Sequence, residues 1–448
     1  MKNLCKLFVV FFIAHFSACS NDAVDEMSVF IEDGTVANVF KVSEDEAKET
    51  LMSFLDQFDS NSSNGVRSTS QRTIKDIQAY KVTPTLRSSS DFDYEIPDDV
   101  ETLFYLINFN DDQGFGIVSG DKRTTPVLAV IDEGSLSLDT LSRVKNTGFL
   151  MFLDQAIDMQ MQEIEIIEDN GGDGGGGGGG GGGGSSTPTV ILDLPVRLKT
   201  KWSQHSPYNK FAPNGVTGCV MTAAAQALSF FQTVGSVQWQ HNNSYGSSVL
   251  NWSQIIADCQ DPNGWYSGYS GYGKLIDSRH SQSALQVSHL MRFLGVVLNA
   301  DYKSNGQTGA DTGDAVKYLK NWCGLSSSTV LYNYDATGVR NALTQNSNCL
   351  IMARSHANRT NRFLGIIYTY EDGHAWIIDG LRRIRYGSSS ITDYVHCNWG
   401  WGGKCDGYFV SGSFNTQVNP NFLGPNDENM GTGNYNFRYN KEYAVLSR

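Results

Sequence analysis

The sequence predicts an α+β protein of two domains on a flexible tether, and three observations carry that prediction. At 448 residues, with 40% apolar and 11% aromatic content, the chain can fold but exceeds what one hydrophobic core usually serves. Glycine runs unbroken over residues 174–184, a stretch with nothing to offset the entropy of ordering it. On both sides of that run, helical periodicity and strand alternation fall in separate stretches, which is α+β rather than βαβ organisation.

From the N-terminus, MKNLCKLFVVFFIAHFSAC puts Lys2 and Lys6 ahead of an apolar run of export-signal length, too short to span a bilayer. It ends in Phe16-Ser17-Ala18-Cys19, which is similar to a bacterial lipobox. Residues 1–19 are therefore read as a signal peptide, and Cys19 as the lipid-anchored N-terminus of an exported protein. Residues 20–170 make the first domain. Within it, residues 43–58 read as a helix with Ser43 as N-cap and Glu46 as its capping-box partner. Residues 60–90, rich in Ser, Thr and Asn, read as loose chain, residues 101–134 as antiparallel strands, and residues 148–168 as a helix. Residues 171–189 are the linker, whose eleven glycines would span only about 18 Å as a random coil and hold the flanking domains at high effective concentration. In the second domain, residues 190–448, helices are expected at 217–231 and 283–298, and short antiparallel strands follow from Asn348 onward.

Charge divides at the same boundary. Residues 21–170 hold 30 acids and 11 bases, a net −19, whereas residues 185–448 hold 16 acids and 21 bases, a net +5. Pieces of opposite sign attract one another, and a total of −13 makes nucleic acid an unsuitable partner.

Six of the eight cysteines lie in the second domain, without CxxC pairs or the spacing of a zinc framework. Cys397 and Cys405 flank a glycine–tryptophan loop and could bridge. Cys219 is different. In NGVTGCVMTAAAQALSFF it stands where a polar loop turns into an alanine-rich run of helical pattern. The first N–H groups of a helix lack intrahelical partners and favour negative charge, so a thiolate gains from that placement. Position alone leaves a small buried hydrophobe equally open.

A thiol nucleophile needs a base, and a third group to hold that base in the right tautomer. The first domain holds no cysteine or histidine after Cys19, so catalysis belongs to the second. His374, in EDGHAWIIDG, heads an apolar strand and can present its ring at a cleft edge; His356, closing another strand, is taken as structural, and His205, His241, His280, His289 and His396 have no distinguishing context. Downstream, HCNWGWGGKCDGYF places Asn398 to accept from an imidazole N–H and Trp399 to shield that bond from water.

These three blocks, TGCVMTAAAQAL, GHAWIIDG and NWGWGG, occur in the order Cys, His, Asn, and together they resemble the streptopain family of bacterial papain-like cysteine peptidases. KWSQHSPYN and GVVLNADYKSNGQTGA are weaker echoes, and GFGIVSGDKRTTPVLAVIDEG resembles that family's inhibitory pro-domain. The resemblance implies a papain-like peptidase domain, a helical part plus an antiparallel sheet, behind a smaller α+β pro-domain. It implies Cys219 as nucleophile, His374 as base then acid, Asn398 orienting His374, Trp399 covering the pair, and Gln204 with the Cys219 N–H forming the oxyanion hole. It places Gly373 and Thr308 along the substrate cleft, although Thr308 stands where the family usually has serine and residues 382–390 are extra. Expected partners are protein or peptide substrates, the chain's own pro-domain as inhibitor, and a membrane through Cys19; no metal or organic cofactor is expected. The same triad chemistry serves amidases and transglutaminases. A glycan-binding surface module, with residues 263–274 and the Trp399/Trp401 loop as stacking platforms, is the rival from another class.

Overall fold

The structure is a computed structural model of the chain and describes residues 31–32, 35–36, 38–60, 72–87, 96–169, 187–261, 272–327, 331–356, 359–363, 366–370, 373–387, 390–415 and 440–448. It forms two compact units, Met1–Val39 and Phe40–Arg448. The first contains one small antiparallel hairpin, Ile31–Glu32 with Thr35–Val36. Residues 1–19, read above as a signal peptide ending in Cys19, and the glycine run lie outside the described residues; all that follows concerns the second unit.

Helix α1 (Glu44–Ser60) starts where its capping chemistry places it: Ser43 N donates to Glu46 Oε2 at 2.7 Å, and Glu46 N donates to Ser43 Oγ at 3.2 Å. Ala47, Leu51, Phe54, Leu55 and Phe58 recur at helical spacing and are buried. They pack over an antiparallel sheet of β1 (Ile74–Lys81), β2 (Thr102–Phe109), β3 (Phe115–Ser119) and β4 (Val127–Ile131). Strand β1 corrects the reading of residues 60–90 as loose. It is an edge strand hydrogen-bonded along β2, so half-buried Ile74, Ile77 and Tyr80 suffice despite the polar composition around them. Helix α2 (Thr147–Asp169) follows, its Phe149 in edge contact with Phe115 of β3.

After β5 (Thr189–Leu194) comes α3 (Cys219–Phe231), buried nearly all round and therefore able to use a run of alanines for close packing. Its first residue is Cys219, two residues later than the sequence suggests. Helices α4 (Trp252–Cys259), α6 (Thr312–Trp322) and α7 (Ala336–Gln345), with α5 (Ser281–Val297) between, complete the helical part. The three unexpected helices are short, and each carries a side-chain N-cap: Asn251, Asp311 and Asp335. Strands β6 (Cys349–His356), β7 (His374–Tyr386), β8 (Ser390–Asn398), β9 (Gly407–Val410) and β10 (Asn440–Ser447) form the antiparallel part. The expected α+β division holds in both parts.

The parts are joined more closely than a charge-driven docking implies. The sheet runs β10-β6-β7-β8-β9-β4-β3-β2-β1, with Tyr408 opposite Val130 and Phe409 opposite Ala129 where β9 meets β4. Each of those two strands would otherwise expose a row of unpaired backbone groups. One hydrophobic cluster also spans the junction, holding Phe54, Phe149 and Val130 together with Trp399, Phe409 and Tyr394.

Arg382–Tyr386 extend β7 against Ser390–Tyr394 of β8, and β5 pairs alongside β7. This extension acts on the N-terminal part. Buried Arg382 donates to Phe58 O at 2.6 Å and to Asp193 Oδ1 at 2.9 Å, and its guanidinium lies 3.9 Å from the Phe58 ring centre. Cys397 and Cys405 do not bridge, for all six cysteines of this part are free. Cys397 pairs across to Gly407 and points into the core, whereas Cys405 stands in the turn at a φ of 62°.

Candidate active site

The loop before α3 is built for close approach. Gly218 has a φ of 92°, and a Cβ there would lie 2.9 Å from Thr308 O and 3.0 Å from Thr308 Cγ2, so only glycine fits. Thr308 Oγ1 donates to Val216 O at 2.8 Å and accepts from Asn214 Nδ2 at 3.0 Å, which braces that loop and seats Thr308 beside the residue preceding Cys219. Gln204 is held from the other side: its carbonyl accepts from Thr217 N at 3.0 Å. Cys219 itself is half-exposed at the first position of the helix. Burial pushes Cys259 and Cys405 up to about 12 and Cys323 to about 11, and raises Cys349 and Cys397 as well, so all five stay protonated and inert at neutral pH.

His374 opens β7, directly after exposed Gly373, and is itself buried. Its Nε2 lies 2.9 Å from Trp399 O; a carbonyl only accepts, so the proton sits on Nε2. Burial pulls the ring down to about 4, and the bond to Trp399 only partly offsets this, so the imidazole is neutral. It stacks on Trp376 at 6.3 Å and meets Trp399 at 6.2 Å. Gly148, at the start of α2 in the N-terminal part, presses on both: a Cβ there would come within 2.8 Å of His374 Cδ2 and 2.7 Å of Trp399 Cζ3.

Asn398 ends β8 and makes no hydrogen bond to the imidazole. Its Oδ1 accepts from Gln226 Nε2 at 2.9 Å and from Gly400 N at 3.2 Å, while its Nδ2 donates to Thr200 O at 2.9 Å. The His374 ring is bonded one residue further on. Trp399 is fully buried beside the His374 ring, which removes it as an exposed stacking platform for glycans. Residues 263–271 of the other proposed platform, and the His356 side chain, lie outside the described residues. Helix α3 packs on β7, and Thr222, one turn after Cys219, faces Gly400, so the Cys, His and Asn blocks converge on one region.

Three groups at this region escaped the sequence reading. Asp406 accepts from Trp399 N at 2.9 Å, and burial pushes its carboxyl up to about 7. Gln226 lies two helical turns beyond Cys219, and a lone amide in an alanine run at that spacing was the available signal. His396 sits between Asp379 of β7, at 2.6 Å, and Asp132, next to β4 of the N-terminal part, at 3.1 Å. Burial pulls its pKa down, but the Asp379 charge, the hydrogen bonds to Asp132 and Asp379 and the Asp132 charge outweigh this and hold it up at about 10. Glu133 next door meets Lys274 at 3.2 Å and Lys201 at 3.6 Å, so the predicted attraction between acidic and basic parts is realised in specific pairs.

A thiol at a helix N-terminus, an imidazole from a distant strand and an attached N-terminal part pressing on that imidazole fit a cysteine peptidase carrying its own inhibitor-like segment. Comparison with known proteins agrees: residues 202–409 match the Peptidase C10 family, and residues 40–158 match the Spi protease inhibitor family. The chain carries a Peptidase C10 (streptopain) domain behind a Spi-like N-terminal pro-domain. Streptopain of Streptococcus pyogenes is 24% identical over 346 residues, spanning 72% of this chain and 76% of that protein. Among solved structures, a prointerpain A fragment from Prevotella intermedia is 20% identical with a TM-score of 0.47, covering 83% of this chain and 98% of that one. Active interpain A from the same organism is 22% identical with a TM-score of 0.34, covering 57% and 95%.

Proposed function

We propose that the chain is an exported cysteine endopeptidase made as an inactive zymogen, with Cys219 as nucleophile and His374 as general base and then acid. In this reading the Cys219 thiolate attacks the scissile carbonyl, and the oxyanion is met by the Cys219 N–H and the Gln204 side chain. His374 gives its proton to the leaving amine, and water then hydrolyses the thioester. Asn398 orients His374 in the active enzyme, Trp399 covers the pair, and Gly373 and Thr308 border the substrate cleft. Residues 20–170 are the pro-domain, 171–189 the Gly-rich linker, and 190–448 the catalytic domain. Export and anchoring at Cys19 rest on the signal-like start and its lipobox-like end.

The observation that carries the reading is the asymmetry of the pair: Cys219 is only partly buried, while the His374 imidazole is buried under Gly148 and bonded to Trp399 O. The pro-domain leaves the nucleophile in place and holds the base in a neutral, misdirected state, which is how a zymogen can be assembled and silent. Release lets the ring turn to Asn398 and the thiol. The test is Cys219→Ala in the full-length chain. It should remain folded by circular dichroism yet fail both to process itself and to degrade a denatured protein; retained proteolysis would refute the assignment.

A further inference from the structure

We infer that Gln226 is a positioning residue for the reaction, the joint that sets the Asn398 amide and the Gln204 segment relative to the nucleophile helix. This rests on the roles given above for Cys219, His374 and Asn398. Gln226 is fully buried on α3, seven positions after Cys219, and thus on the same side of the helix. Its Oε1 accepts from Trp202 N at 2.9 Å and from Thr200 Oγ1 at 3.4 Å, and its Nε2 donates to Asn398 Oδ1 at 2.9 Å.

The orientation of both amides follows from backbone groups with no freedom of role. Trp202 N only donates, so the Gln226 oxygen must face it and the Gln226 NH2 must face Asn398. Thr200 O only accepts and Gly400 N only donates, so the Asn398 NH2 faces the first and its oxygen faces the second and Gln226. One side chain therefore ties together three pieces from distant parts of the chain: the helix that begins with Cys219, the loop residue Trp202 two positions before Gln204, and the residue that orients His374. No other choice of atoms satisfies the set, and in a site this dry an amide turned the wrong way leaves donors and acceptors unpaired.

A carboxylate in place of the amide separates positioning from simple packing. In Gln226→Glu the protonated acid can present O–H to Asn398 and C=O to Trp202, as the amide does, whereas the ionised acid turns an oxygen against Asn398 Oδ1 and favours a flipped Asn398. Burial carries the titration of such an acid above the usual carboxylate range. The experiment uses full-length chains, wild type, Gln226→Glu and Gln226→Leu, each nicked in the glycine run and assayed on a fluorogenic peptide from pH 5 to 9, with the thermal midpoint measured at each pH.

Gln226→Glu should keep kcat within about 3-fold of wild type at pH 5 and lose about 10- to 100-fold by pH 8, with KM within about 2-fold throughout, the scale seen when a group that orients a site ligand is removed. Gln226→Leu should be low at every pH. The inference is overturned if Gln226→Glu follows the wild-type profile, if the loss falls on KM, or if it merely tracks falling thermal stability. Should nicked wild type and Cys219→Ala be equally inactive on peptide and on denatured protein, the peptidase roles themselves fail, and the positioning role fails with them.

Discussion

Replacing Gly148 by alanine tests whether the pro-domain silences the enzyme by pinning His374. The new methyl would sit 2.8 Å from His374 Cδ2 and 2.7 Å from Trp399 Cζ3, where carbon atoms need about 3.5–4.0 Å, so α2 must lift by about 1 Å. Neither neighbour can yield cheaply, because Trp399 is fully buried against Trp376, Phe409 and Phe414. Overpacking of this kind costs about 1–3 kcal/mol, which at about 1.4 kcal/mol per decade shifts the closed-to-open equilibrium of the uncut chain about 5- to 140-fold towards open. Alanine also favours a helix over glycine, but it does so whether α2 is docked or not and leaves that equilibrium alone. The assay is the initial rate at which a peptidyl epoxide labels Cys219 in the uncut chain, read by mass spectrometry, with the four buried thiols, Cys259, Cys323, Cys349 and Cys397, as internal controls. An uncut Gly148→Ala chain labelled no faster than wild type would refute the argument that this contact holds the base.

Other outcomes follow from the same interface. Arg382→Met removes the bonds to Phe58 O and Asp193 and leaves Asp193 partly buried without its cation, so the uncut chain in a Cys219→Ala background should lose about 3 kcal/mol by urea denaturation; an unchanged midpoint would count against the clamp. For His396, whose pKa is raised from 6.5 to about 10, the stabilisation is fully present below pH 6.5 and is lost as pH rises through 10. Asp132→Asn should therefore lower stability near pH 6 and flatten its decline between pH 7 and 10. A decline as steep as that of the parent chain would show that Asp132 contributes nothing to it.

The elements and the chemistry were legible for a local reason. Periodicity, capping residues and turn glycines act over a few positions, so α1, α2, α3 and β2 to β4 could be placed from residues that touch their own neighbours. The order of the three short blocks named the chemistry, since Cys219, His374 and Asn398 each sit in a stretch whose residue types suit one job. Where composition and pairing disagreed, as in β1, the edge of an existing sheet decided.

What the sequence by itself determined is thus the parts and their sign: an acidic segment, a basic segment, a thiol at a helix start and a histidine heading a strand. Only the tertiary structure decided that one sheet continues from β9 into β4, that Arg382 grips α1, that Gln226 links Thr200, Trp202 and Asn398, and that His374 bonds to Trp399 O instead of Asn398. Each of those contacts joins residues between 24 and 324 positions apart. Such pairings depend on loop closure and on which buried donors and acceptors are left to satisfy, and neither is written in any single stretch of chain.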